Sequence, residues 1–348
     1  MVIKQTRKTA EQIKEEILSH LKENPLSIEQ LRIKAESNWS TINSYLEELS
    51  KDGKVKEIIS ADKAKIYQRI FGDTYFDIPI TDNERKMFRT LFSLIMKKYK
   101  DANKTPNKTQ LAKTAVKVIN SPESGLSELP VVWYLYGAIP LMIADPSQDY
   151  QEELVFEHKQ KINNIIEIFM KENINKNTKQ IQKEQHLEYN DKLYKLADDF
   201  LELAKENSWN KQKIFEILNE FCIVCPIDEE FKDVFWFTER FVSTVRKLSY
   251  FDNLENHKIK ILLTFDSIWK FIATYKFYQT ISTQKRFSDK NLLNLYLGNS
   301  LTVRNTCAKE ALSDLYSIYL SKLDNREITL SPEVQKIREI MQDWTGED

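Results

Sequence analysis

Cys222 and Cys225 stand at the C-x-x-C spacing, with Pro226 next, which can supply two of four zinc ligands or a redox pair. No second pair accompanies them: Cys307 and the nearest histidine, His257, stand alone. Their neighbours Phe221, Ile223, Val224 and Ile227 are apolar, so both thiols are expected as small core residues. His20, His158, His186 and His257 lie far apart, with no HxxxH or HExxH spacing, and are expected at the surface. Asp198-Asp199 and Glu229-Glu230 fall in charge-rich helical stretches, where paired carboxylates mark a solvated face. The sequence holds no G-x-S-x-G, Walker-type loop or G-x-G-x-x-G. Only 6 of the 348 residues are glycine, too few for phosphate-cradling loops to be expected. The chain therefore reads as a non-enzyme with no cofactor and no metal.

In composition, 51 Lys+Arg balance 52 Asp+Glu, so any nucleic-acid binding has to come from a local patch. Three cysteines make no disulfide framework, and the first eight residues lack an apolar signal core, which sets a cytoplasmic expectation. The longest uncharged apolar stretch, 129–144, contains Pro130 and Pro140 and is shorter than the ~20 residues that span a bilayer. It is expected as buried core, and no membrane partner is expected.

The elements are mainly helical. Residues 9–23 carry Ile13, Ile17, Leu18 and Leu21 on one helical face and stop before Pro25. Ser27, with Gln30 three residues on, caps a short second helix ending near Ala35. Residues 38–51 place Ile42, Tyr45, Leu46 and Leu49 on one face of a third, closed by Asp52-Gly53. Residues 54–59 and 64–70 read as a two-stranded hairpin around 60–63.

The run from Leu26 to Ile58, with its short second helix, Ser40-Thr41 opening the third, apolar Ile42, Leu46 and Leu49, and the Gly53-Lys54-Val55 step into the hairpin, resembles the winged helix-turn-helix of MarR- and ArsR-type transcription factors. The resemblance covers about 65 of the 348 residues. It implies that the third helix enters the major groove of double-stranded DNA while the wing and second helix touch phosphates. Asn38, Ser40, Thr41, Asn43 and Ser44 are then the base readers, and Trp39 packs on a thymine methyl or a sugar. Arg32, Lys34, Lys51, Lys54, Lys56, Lys63 and Lys65 are the phosphate contacts, with Lys4, Arg7 and Lys8 as a basic arm. Residues 1–70 carry 13 Lys+Arg against 11 Asp+Glu, and the reading helix has no arginine in its first three turns, so dimerisation is expected to supply affinity.

The organisation expected is a winged helix over 1–72, a middle helical unit over 80–146 and an all-α helical bundle over 150–348. The middle unit, with a helix from Thr81 and another around Lys108–Lys113, has the outline of a second helix-turn-helix, and Trp133, Tyr134 and Tyr136 read as its core. The bundle is expected as helices over 150–173, 178–206, 209–223, 229–250, 255–282, 288–322 and 332–344. Its aromatics, among them Trp236, Trp269 and Tyr275, read as packing, with an apolar effector pocket or a dimer face as alternatives. The function expected is a DNA-binding transcriptional regulator, with a homodimerising or effector-sensing bundle. The alternatives are an accessory factor of a replication, partition or mobile-element assembly, and an adaptor whose winged helix binds protein.

Overall fold

The computed structural model describes residues 8–59, 65–203, 205–206, 209–226, 232–284, 287 and 289–324. The hairpin tip with Lys63, the arm residues Lys4 and Arg7 and the helix expected over 332–344 lie outside the described residues.

Helix α1 (Ala10–Glu23) opens on a Thr9/Gln12 capping box and α2 (Ile28–Lys34) on a Ser27/Gln30 one, each tying up amide N–H groups that have no partner inside the helix. Helix α3 (Trp39–Lys51) is capped by Asn38 and buries Ile42, Leu46 and Leu49, about 1.5–3 kcal/mol of transfer free energy for each side chain. Strands β1 (Leu26–Ser27), β2 (Val55–Ile59) and β3 (Lys65–Arg69) form an antiparallel sheet in the order β1-β3-β2, pairing Leu26 with Tyr67 and Val55 with Arg69. One small core, from Ile17 to Tyr67, closes this unit.

The connection that follows is folded back onto the sheet. The Asp77 carboxylate accepts from the backbone N–H of Phe71 (3.1 Å) and Gly72 (3.2 Å) and pairs with Lys56 (2.6 Å). The Gln68 amide donates to the carbonyls of Phe76 and Asp77. Phe76 and Asp77 hold φ of 57° and 54°, a left-handed geometry that these tertiary contacts sustain.

The rest is mainly helical: α4 (Asp82–Asp101), α5 (Lys108–Ile119), α6 (Lys159–Asn173), α7 (Thr178–Glu188), α8 (Lys192–Leu203), α9 (Lys211–Val224), α10 (Lys232–Phe251), α11 (Lys258–Ser282) and α12 (Lys290–Asp324). It is not all-α, however. Between α5 and α6 lies an antiparallel hairpin of β4 (Val131–Tyr134) and β5 (Gly137–Pro140), turned at Leu135-Tyr136. The helix expected over 150–173 begins only at Lys159, and that expected over 178–206 is two helices, divided where Asn190 takes φ 51°.

Two cores organise these elements. The first runs without a break from Ile78 through Val132, Tyr150 and Met170 and is completed by Phe277, Ile281 and Leu297. The second runs from Leu193 to Ile272 and is completed by Ala308, Leu312 and Leu315. Helices α11 and α12 thus serve both cores, and the β4–β5 hairpin is wedged between them: Val132 and Ile139 pack into the first, Trp133 and Leu135 against the second. Among the described residues no helix is long and apolar enough to cross a membrane.

Candidate nucleic-acid interface and a buried polar cluster

With Ile42, Leu46 and Leu49 turned inward, α3 presents the opposite face outward. The Asn38 side-chain oxygen is engaged in the cap, accepting from Thr41 N–H (2.8 Å) and from the Ser40 hydroxyl (2.7 Å), which leaves the Asn38 amide NH2 for outside partners. Asn43 donates to Glu47 (2.8 Å) and keeps its carbonyl oxygen, and Ser44 is exposed. Trp39 is 52 % exposed in the first turn, and Ile33 of α2 is 60 % exposed. Thr41 and Asn43 are half-buried. The face is amide, hydroxyl and indole, with the exposed carboxylate of Glu47 beside Asn43 and no cation in its first two turns.

The flanking cations are mostly occupied. Arg32 forks onto Glu29, at 2.6–3.0 Å, and this hydrogen bonding raises the guanidinium pKa and lowers that of the carboxyl. Lys54 pairs with Asp52 (3.4 Å) and Lys65 with Glu57 (3.3 Å). Lys8 reaches Glu16 and the Ala35 carbonyl. These exposed pairs are weak and can exchange for phosphate oxygens, whereas Lys56 is committed to Asp77 and the folded connection. Lys34 and Lys51 are exposed and have no ion pair among the described residues.

Helix α5, part of the expected second helix-turn-helix, has no face to offer a groove: Gln110 to Val116, Val118 and Ile119 are all buried. What it carries instead is Lys113, only 3 % exposed. The Lys113 ammonium donates to the carbonyls of Tyr136 (2.6 Å) and Ala138 (2.8 Å) and to Gln185 Oε1 (2.5 Å), which uses all three N–H bonds and pins the hairpin turn to α5 and α7. Burial pushes its pKa down to about 7, while the three oxygens and nearby Asp198 favour the charged form. From the other side the turn is held by Trp269, whose indole N–H donates to Leu135 O (3.3 Å).

His186 corrects the surface expectation. It is 3 % exposed, with Nδ1 2.6 Å from Asp198 Oδ2, and its Nε2 is buried with no hydrogen-bond partner. Asp198 is correspondingly part of a half-buried pair and not of a solvated acidic face. Trp133, Tyr189 and Tyr194 surround this pair: Trp133 lies 6.4 Å from the His186 ring and 4.9 Å from Tyr194 between centroids. Tyr194 is fully buried and donates to Tyr134 O (2.7 Å). Tyr136, by contrast, is exposed at the turn. The signal for this cluster was a lysine inside the apolar run Leu111-Ala-Lys113-Thr-Ala-Val116.

Cys225 is buried, its sulfur 3.6 Å from the Thr238 hydroxyl, and burial pushes the thiol up to about 11, so it is held as a thiol and not as a nucleophilic thiolate. Cys222 is half-buried and Cys307 exposed. Among the described residues no three His, Cys, Asp or Glu side chains converge as a metal site. Comparison with protein-family models, with curated proteins and with solved structures returns no match.

Proposed function

We propose that residues 8–70 are a winged helix-turn-helix that binds double-stranded DNA through α3, and that the chain is a transcriptional regulator whose helical remainder carries a dimer contact or a sensor. The observation carrying this reading is the outer face of α3, where Asn38, Trp39, Ser40, Asn43 and Ser44 stand together between α2 and the β2–β3 hairpin. Amides and hydroxyls there can read base edges, and the indole can cover a thymine methyl or a sugar. Lys34 and Lys51 lie before and at the end of α3, placed for phosphates, and the labile pairs of Arg32, Lys54 and Lys65 supply further contacts by exchange.

With so few cations per protomer, the reading requires weak, salt-sensitive binding strengthened by pairing two copies on one duplex. Titrating the full chain with duplex DNA at several salt concentrations should give a log–log slope of about −2 to −4 per protomer, from about 0.9 per phosphate contact. Trp39→Ala should weaken binding about tenfold, corresponding to roughly 1.4 kcal/mol. No binding at low salt, or binding indifferent to Trp39→Ala, would count against it. A second reading, docking of a protein partner, is favoured by one observation: Ile33, near the end of α2, and Trp39, at the start of α3, are both exposed large apolar side chains. DNA binding that survives Ile33→Asp and fails with Lys34→Glu separates the two.

A further inference from the structure

We propose that residues 331–344 of this chain dock as an amphipathic helix in the groove between α9 and α10, running antiparallel to α10. The groove is walled by Cys222 and Ile223 of α9 and by Glu239, Val242, Arg246 and Tyr250 of α10. Its apolar side chains stand open: Ile223 is 77 % and Tyr250 67 % exposed, and buried Val242 lines the wall between them. Apolar groups set along one groove by two neighbouring helices are a surface that a helix with one apolar face can cover.

Pattern, length, place and charge choose the occupant. The segment lies outside the described residues, and in its sequence Val334, Ile337, Ile340, Met341 and Trp344 recur at helical spacing after a Ser331-Pro332 start. From Val334 to Trp344 this stripe would extend about 15 Å as a helix, and the α10 wall from Glu239 to Tyr250 extends about 16 Å. Helix α12 ends at Asp324 against the end of α10, where Tyr319 meets Phe251 (5.6 Å between ring centroids) and Lys322 pairs with Asp252 (2.9 Å). The link over 325–331 can stretch to about 23 Å, enough to bring Ser331 to the Tyr250 end of the groove. Glu333, four residues before Ile337, is the charge in line with the apolar stripe. Entry at Tyr250 sets it beside Arg246 and Lys247, which have no ion pair among the described residues: Arg246 donates to Asn219 (2.6 Å) and lies over Phe215, and Lys247 lies over Tyr319. The opposite direction would bring Glu333 against Glu239. So short a tether holds the segment at an effective concentration on the order of millimolar, which favours it over the same segment of a second copy.

Limited trypsin digestion of the full chain, with initial rates of cleavage after Lys336 and Arg338 followed by mass spectrometry, tests the docking. Ile223→Arg, at an exposed position of the groove, and Trp344→Asp, in the segment, should each speed those cleavages about tenfold or more, with cleavage within residues 8–324 unchanged. Ile259→Arg, at an exposed position of α11, should leave the rates as they are. Rates equal in the unaltered chain and in Ile223→Arg overturn the proposal, as does acceleration by Ile259→Arg in place of Ile223→Arg, which would seat the segment on α11. Protection that disappears on about hundredfold dilution overturns it too, since the groove would then hold the segment of a second copy.

Discussion

Lys113 carries a charge into a place where a charge is costly, and its surroundings show how the cost is met. Three oxygens take its three protons, two of them carbonyls of the hairpin it holds, one in the turn and one in β5. With a folded pKa near 7 against 10.5 for the free side chain, the unfolded chain binds more protons between these limits, so stability rises with pH there. Denaturant midpoints measured from pH 7 to pH 8.5 should therefore climb, by at most about 1.4 kcal/mol per pH unit, and Lys113→Met should flatten the climb. A midpoint that falls over that range, or a slope unaltered in the variant, would show that the three oxygens outweigh burial. At the same scale, the cap and the outward face of α3 were legible in the sequence, because cap and helix period are local properties. The sequence could not reveal that Arg32 pairs with Glu29 and that Lys56 is committed to Asp77, since such pairings depend on rotamers and, for Lys56, on a residue 21 positions away.

Among elements, the β4–β5 hairpin was hardest to foresee. Residues 129–144 are apolar throughout, because one strand face meets the first core and the other the second, and a strand buried on both faces loses the alternation that marks it. The α7–α8 break was missed for another reason: Asn190 takes a left-handed φ without a glycine or proline to announce it. Helices α1 to α3 were legible, since capping boxes and a closing Gly53 bracket clear helical periods. Gly137 gives the hairpin a measurable signature. Its φ is +91°, and a Cβ there would lie 2.6 Å from Gln185 Oε1 and 2.8 Å from His186 Nε2, both immobilised. Gly137→Ala should cost about 3 kcal/mol in chemical unfolding, from backbone strain plus overpacking. Gly53→Ala, where φ is +67° but the space is open, should cost about 1 kcal/mol, the backbone term alone. Equal losses at the two sites would contradict the close approach.

At the scale of the whole molecule, the first unit is fastened to the rest by a polar clasp. Asp77 alone holds Lys56 and two backbone N–H groups, and Lys22 reaches Asp82 at the start of α4 (2.7 Å). Asp77→Ala should loosen the connection by about 1–3 kcal/mol and open residues 70–81 to limited proteolysis, with the helical remainder left intact. Uniform digestion of both parts would instead mean that the clasp supports the entire fold. If α3 contacts DNA as proposed, that contact is coupled to the helical part through this connection and through the packing of α12 near β2.

The sharing of α11 and α12 between two cores has a consequence in time. The core of the first unit is complete once Tyr67 has been made, but the core that begins at Ile78 lacks Phe277, Ile281 and Leu297 until most of the chain exists. At ribosomal speeds of roughly 5–20 residues per second, the apolar surfaces of α4 to α6 wait on the order of ten seconds for the helices that cover them. A nascent chain of this protein thus offers chaperones a long-lived, half-built layer beside an N-terminal unit that has already closed.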